Sequence, residues 1–386
     1  MEFKRMAVEK KRPAVVVLED GSVFRGSAFA GQAHACGEVV FNTAMAGYQE
    51  VLTDPSYSEQ ILVMTYPLIG SYGINDEDME SRAIHLEGII VREYQQWPSN
   101  YRSSCSLARY LEDHGKIGIE GIDTRALTRR IRTQGAMRGI IAVEPATIAE
   151  LKEKLCAYPG LVGRDLVCRV TGRELLLWKN NTLVPAGGLR GEHDGLRVAV
   201  LDCGVKHNIL RSLEHLGCEV VVIPSRFSAA DIIALNPDGV LLSNGPGDPA
   251  PLTNEVETVR GLLGEVPIFG ICLGNQLLAQ AVGAQTAKLK FGHHGVNQPV
   301  KNLLSGRVEI TSQNHGFHVL RETLPADAEV THINLNDNTL EGIRYPSRLA
   351  FSVQYHPEAA PGPHDSQYLF EEFLELMRSR SFRGAC

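Results

Sequence analysis

The sequence predicts an α/β protein, with a mixed, mostly parallel sheet carrying helices on both faces in its carboxy-terminal half and a separate mixed β/α domain before it. Three observations carry that expectation. Apolar runs and helical patterns alternate regularly after Leu196, the first half mixes short strands with Gly, Asn and Asp-Pro breaks, and regularity fades between the two. These shifts place a β-rich first domain at 13–145, a connecting segment at 146–195 and the second domain at 196–380.

The elements follow in order. "AVVVLEDGSVFRGSAFA" reads as a hairpin turning at Asp20–Gly21. "GEVVFNTAMAGYQEVLTDPSYSEQILVMTYP" holds short strands between breaks. "DTRALTRRIRTQG" is a basic amphipathic helix, with Asp123 placed to cap its start and Gly135 beyond its end. Its arginines suit a solvated face or a partner surface. The connection ends in "KNNTLVPAGGLRGEHDG".

Then "LRVAVLDCG", "CEVVVIP" and "DGVLLSNGPGDP" read as strands, separated and followed by the helices "KHNILRSLEHLG", "SAADIIALN" and "EVETVRGLLG". Alternation with short connections requires a parallel sheet covered on both faces, and ligands of such sheets gather at the carboxyl ends of strands. After Gly283 the pattern turns strand-rich through "AKLKFG", "RVEITSQ" and "RLAFSVQYHPE", before a closing helix, "SQYLFEEFLELMRS".

The totals narrow the function classes. At 386 residues, 44% hydrophobic and 22% charged, the chain has ordinary globular composition and room for two or three cores. A net charge of −7 and a pI near 6.0 argue against a nucleic-acid-coating surface. The basic start "MEFKRMAVEKKRP" has no apolar core, and no run is long enough to span a bilayer, so neither signal peptide nor membrane anchor is expected. Eight scattered cysteines without a C-x-x-C pair fit a reducing cytosol, and a cytoplasmic location is expected. His293–His294 and His364 lack Cys or acidic companions at ligand spacing, so no metal site is expected.

The chemistry centres on "VPIFGICLGNQLLAQAVG". Val266, Ile268 and Phe269 suit a short buried strand, and Leu277, Leu278, Ala281 and Val282 recur at helical spacing. Cys272 therefore sits on the turn between strand and helix, where Gly270 and Gly274 would let the backbone bend. The helix dipole favours a thiolate there, as in a nucleophile elbow. The residue types equally suit a small buried core cysteine.

A nucleophile needs a base and an oxyanion hole. "FSVQYHPEA" puts His356 at the end of an apolar strand, with Glu358 two residues on and pointing the same way in extended chain. The N–H of Leu273, next to the cysteine, is one oxyanion donor, and Gly245 in "NGPGDP" is the second. Taken alone, "HPE" also suits a strand end with a solvated glutamate, and "GPGDP" an ordinary turn.

"GICLGNQ", "SNGPGDP", "QNHGF" and "HPEA" together resemble the class I glutamine amidotransferases, over the span from Arg197 to Met377. "LEDGSVFRG", "GEVVFNTAMAGYQEVLTDPSYSEQILVMTYPLIGSYGIN" and "IDTRALTRRIR" are similar to the amino-terminal domain of the carbamoyl phosphate synthase small-chain family, and "FGHHGVNQPV" and "HPEAAPGPHD" extend the likeness. The resemblance implies the class I glutamine amidotransferase fold for the second domain and a partner interface on the first. It implies hydrolysis of L-glutamine through a γ-glutamyl thioester, with Cys272 as nucleophile, His356 as base and acid, and Glu358 orienting the ring. Glutamine would be held by Ser56, Gly245, Gly247, Leu273, Gln276, Asn314, Gly316 and Phe317.

The resemblance also implies no cofactor in this chain. A separate large chain, in a heterodimer, would bind ATP, magnesium and bicarbonate. It would receive ammonia through a tunnel and act as a ligase, making carbamoyl phosphate for pyrimidine and arginine biosynthesis. No GxxxxGK[ST] phosphate loop is present here. Two departures stand out: Asn275 replaces the usual histidine after "CLG", and Gln298 stands where the family has "NHP". An inert regulatory subunit is the rival from another class. A cysteine esterase of the α/β-hydrolase type would place its acid before the histidine, whereas Glu358 follows His356.

Overall fold

The computed structural model describes residues 12–143, 146–187 and 195–382. The basic start, residues 188–194 of the connection and Cys386 lie outside the described residues. The chain divides into two compact units. The first comprises residues up to Phe41, Glu59–Asp76 and Leu86–Gly160; the second comprises Asn42–Ser58, Glu77–His85 and everything from Leu161 onward. Two segments of the first half are thus built into the second unit. Glu80 N–H donates to Thr53 Oγ1 at 2.9 Å, and the His207 N–H donates to the Glu80 carbonyl at 2.9 Å.

The strands of the first half are β1 (Arg12–Leu18), β2 (Val23–Ala30), β3 (His34–Asn42), β4 (Gln60–Met64), β5 (Leu68–Ile69), β6 (Gly88–Ile90), β7 (Glu93–Tyr94), β8 (Ile117–Glu120) and β9 (Met137–Val143). All but β5 and β7, which pair with each other, close into a barrel in the order β1-β2-β8-β6-β4-β3-β9. Closure leaves no open edge for another chain to pair with. The β1–β2 hairpin turns where Asp20–Gly21 predicts: Gly21 lies at φ 87° and Ser22 N–H donates to Asp20 Oδ1 at 2.8 Å. The basic helix runs Thr124–Gln134, capped by Asp123 at 2.9 Å, with Leu127 and Ile131 buried and Gly135 at φ 110° ending it.

The stretch 146–187 is more regular than its sequence reads. Thr147 and Glu150 form a reciprocal capping box on a helix, Ile148–Ala157. Within the second unit, β10 (Leu176–Lys179) and β11 (Thr182–Pro185) form a hairpin whose turn residues, Asn180 and Asn181, lie at φ 52° and 60°. Asparagine tolerates that left-handed conformation, which two-residue hairpin turns of this hand demand.

The second unit adds β12 (Arg197–Asp202), β13 (Glu219–Pro224), β14 (Gly239–Leu242), β15 (Ile268–Ile271), β16 (Thr286–Asn302), β17 (Val308–Val319), β18 (Glu329–Asn334), β19 (Leu340–Tyr345) and β20 (Ala350–Val353). One sheet of eleven strands runs β11-β10-β13-β12-β14-β15-β20-β19-β18-β16-β17. Its middle, from β13 to β20, is parallel, and antiparallel strands extend both sides.

Burial on both faces explains the near-continuous apolar runs. Ala199 and Leu201 face one core, with Val259 and Leu277 of covering helices; Val198 and Val200 face the other, with Leu210 and Phe373. The strands β12, β14, β15 and β20 end on one rim. Just beyond their ends stand Lys206, Gly245, Cys272 and His356. Among the described residues no helix is long and apolar enough to cross a membrane.

Candidate active site

Cys272 joins β15 directly to the helix Leu273–Ala281 and holds φ 55°, ψ −101°. A side chain with a Cβ rarely adopts such a backbone, and a strained strand-to-helix turn of this kind is what a nucleophile elbow requires. The flanking glycines serve closeness rather than bending. A Cβ on Gly274 would lie 2.2 Å from the Leu242 carbonyl oxygen, and one on Gly270 would lie 2.7 Å from the Gly274 oxygen. The helix therefore seats directly on the neighbouring strand, and the positive φ falls on the cysteine itself. Leu273 N–H, at the first helical position, belongs to the turn that has no intrahelical acceptor.

His356 reaches the same rim because β20 lies parallel to β15, with Val353 opposite Ile271 and Cys272 N–H donating to the Val353 carbonyl at 2.9 Å. The chain beyond β20 is pinned by a bond from His356 N–H to the Ser312 carbonyl at 2.8 Å. His356 Nδ1 bonds Glu358 Oε1 at 2.7 Å, which is the contact the i, i+2 spacing predicts. Cys272, His356 and Glu358 are 2%, 3% and 0% exposed, so every charge here acts without water to screen it.

Burial disfavours a charged ring at His356, but the charges of Glu358 and Cys272 outweigh it and push its pKa up to about 10. The Cys272 sulfur acts on the buried ring both through its charge and through hydrogen bonding, and both favour the protonated imidazole. Burial also opposes the charge on Glu358, and Lys206 and His356 reverse that, holding its pKa near 2.

Lys206 is the first residue that sequence reasoning missed. Its ammonium donates to Glu358 Oε1 at 2.9 Å and to the Ala359 carbonyl at 2.6 Å, and lies 4.0 Å from Glu80 Oε2. Burial disfavours its charge, yet Glu358 and Glu80 raise its pKa above the ordinary lysine value. Arg211 pairs with Glu80 at 2.9 Å, closing a buried network of alternating sign. Lys206 follows a rim strand in "DCGVKHN", and that position was the available signal.

The residues assigned to glutamine fall into connected groups. Asn314 has its carbonyl 3.8 Å from the Cys272 sulfur, and its amide nitrogen donates to Asp54 Oδ2 at 2.8 Å. Asn244 Nδ2 donates to Ser56 Oγ at 3.0 Å, and Ser56 N–H to Asp54 Oδ1 at 2.9 Å. Ser56, which lies in the amino-terminal half, thus stands in the same unit as Cys272. Gln276 Nε2 donates to the Phe317 carbonyl at 2.8 Å, while a Cβ on Gly316 would meet open space. Gly245 comes close to the Cys203 carbonyl, where a Cβ would sit at 2.2 Å. Gly247 turns the same loop at φ 83°, with its Cβ direction facing Leu166 rather than the sulfur. Asp54, Asn244 and Gln354 join the site without having been singled out from the sequence.

The fold also supplies the companions that His293 lacks locally. Asp337 bonds His293 Nε2 at 2.8 Å, Glu341 lies 3.6 Å from Nδ1, and His315 stacks edge-on. Among the described residues, His293, His315 and Glu341 bring potential ligand atoms within 4.8 Å of one another. Despite burial, Asp337 and Glu341 raise the His293 pKa to about 9.

Known proteins match both halves of the chain. The family model for "Glutamine amidotransferase class-I" matches residues 199–376, and that for "Carbamoyl-phosphate synthase small chain, CPSase domain" matches residues 16–141. The carbamoyl phosphate synthase small chain of Syntrophotalea carbinolica is 53% identical over 374 residues, covering 96% of this chain and 100% of that one. Those of Chlorobaculum tepidum and Rhodopirellula baltica are 53% and 51% identical, over 95% and 96% of this chain and 98% and 97% of their own. The chain belongs to the carbamoyl phosphate synthase small-chain family, with a class I glutamine amidotransferase domain as its second half.

Proposed function

We propose that this chain is the glutamine-hydrolysing subunit of a carbamoyl phosphate synthase and that Cys272, His356 and Glu358 are its catalytic residues. The observation that carries the reading is the cysteine held at φ 55° on a strand-to-helix turn, on the same rim as an imidazole already bonded to a carboxylate at 2.7 Å.

The sulfur attacks the δ-carbonyl carbon of L-glutamine, as a thiolate or after passing its proton to His356. The oxyanion that develops is met by the N–H groups of Leu273 and Gly245, one such donor being worth on the order of 3 kcal/mol. His356 then protonates the departing nitrogen as the C–N bond breaks, leaving a γ-glutamyl thioester and ammonia. Water, deprotonated by His356, attacks the thioester, and the C–S bond breaks to release glutamate. Acid–base help of this kind contributes about 10²–10⁴ in rate. Ser56, Gly245, Gly247, Gln276, Asn314, Gly316 and Phe317 hold the substrate around this line of attack. Ammonia passes to a large chain that uses ATP, magnesium and bicarbonate to form carbamoyl phosphate.

Measurements on the chain alone and with a large chain test this. The purified chain should release glutamate from glutamine slowly, and an electrophilic glutamine analogue should label Cys272. Expressed with a candidate large chain, it should co-purify and confer glutamine-dependent ATP consumption. Glutamine turnover without labelling of Cys272, or no turnover alone or with the large chain, would refute the reading.

A further inference from the structure

Behind the nucleophile runs a buried chain of amides, of which the mechanism above uses only Gln276, as a group that holds the substrate. Ser352 Oγ donates to Asn275 Oδ1 at 2.9 Å, and Asn275 Nδ2 donates to Gln354 Oε1 at 3.2 Å. Gln276 Nε2 also donates to Gln354 Oε1, at 3.1 Å, and Gln354 Nε2 lies 3.7 Å from the Cys272 sulfur. All of these side chains are buried, so none exchanges its bonds with solvent.

The direction of the chain is fixed by one backbone group. Gln276 Nε2 meets the Phe317 carbonyl, which can only accept, so this end of the Gln276 amide must be its NH₂. Its second hydrogen then requires an oxygen at Gln354, which turns the Gln354 NH₂ toward the sulfur. Asn275 supplies a second donor to that same oxygen and locks the orientation.

We infer that Gln354 is a further catalytic residue, a neutral N–H donor that stabilises negative charge on the Cys272 sulfur, and that Asn275 and Gln276 are the positioning residues that aim it. The inference rests on Cys272 being the nucleophile. Its physical basis is the location of the donor: it is uncharged, dry and already oriented, so it favours the reactive form without contributing a competing proton. It also gives Asn275, one of the two departures from the family pattern, a definite task. The Asn275 amide polarises Gln354 through its oxygen, with Ser352 bonded behind it.

The test is the pH dependence of Cys272 alkylation by iodoacetamide in the full chain, followed by mass spectrometry of the Cys272 peptide. Gln354→Met keeps the volume and removes the donor. Its alkylation midpoint should rise by about one pH unit, with kcat for glutamine falling about tenfold and KM little changed. Gln354→Glu, which sets a carboxyl group against the sulfur, should shift the midpoint further. Asn275→Ala leaves Gln354 in place but loosens its aim, and should shift the midpoint in the same direction by less.

A profile for folded Gln354→Met or Gln354→Glu that superimposes on the parent overturns the inference. Should neither variant fold, an unshifted Asn275→Ala profile overturns it. Failure of the underlying reading looks different: glutamine hydrolysis would then survive Cys272→Ala.

Discussion

Lys206 and His356 meet on a single oxygen: Glu358 Oε1 accepts from the ammonium at 2.9 Å and faces the imidazole Nδ1 at 2.7 Å. One buried carboxylate thus serves two cations, and Glu80, with Arg211 beside it, lies against the ammonium as a second acid. The arrangement keeps Glu358 ionised in a place where burial alone would protonate it.

Removing the lysine should therefore cost more than its hydrogen bonds. Lys206→Met leaves Glu358 and Glu80 short of a counter-charge inside the protein. Losing one partner of a buried ion pair costs about 3–5 kcal/mol. We expect an unfolding free energy lowered by that order, read as a lower urea midpoint, and reduced glutamine turnover, while a midpoint unchanged from the parent would contradict the network.

The same pair sets a pH dependence of stability. His356 has a pKa of about 10 in the folded chain against an ordinary 6.5, so its contribution is complete below about pH 6.5 and is lost as pH rises toward about 10. Glu358 has a pKa of about 2 against 4.5, so its contribution is present above about pH 4.5 and is lost as pH falls toward about 2. Urea midpoints of Glu358→Gln across this range should show a shallower alkaline decline than the parent. Parallel declines would place the charge coupling elsewhere.

Gly274, two residues beyond Cys272, offers a packing test. In Gly274→Ala the new Cβ would have to displace the Leu242 carbonyl, which lies 2.2 Å from its ideal position and belongs to a central strand. Overpacking of this kind typically costs about 1–3 kcal/mol. The helix should lift from the sheet and carry Leu273 N–H with it, lowering turnover even where the fold survives. Full activity in Gly274→Ala would mean that the turn tolerates movement.

How much of this could be read from the sequence follows the range of each interaction. The turn at Cys272 and the Glu358–His356 bond were legible because each is built from residues next to one another in the chain. Lys206 and Glu358 are 152 positions apart and meet through the sheet's strand order, while Asn314 and Asp54 are 260 apart and meet because the segment Asn42–Ser58 is built into the second unit. The glycines were legible as a motif but not in their mechanism. Bending appeared the natural use for Gly270 and Gly274, whereas the positive φ belongs to Cys272 and the glycines permit contact. The Asn180–Asn181 turn has the residue types of a hairpin turn, but the flanking residues lack the strong periodicity that would mark two strands.

Glutamate release from glutamine by Cys272→Ala, measured beside the parent chain under the same conditions, tests the central claim most directly. The account predicts no turnover above background, with the folded structure retained. Undiminished turnover in that variant would contradict it.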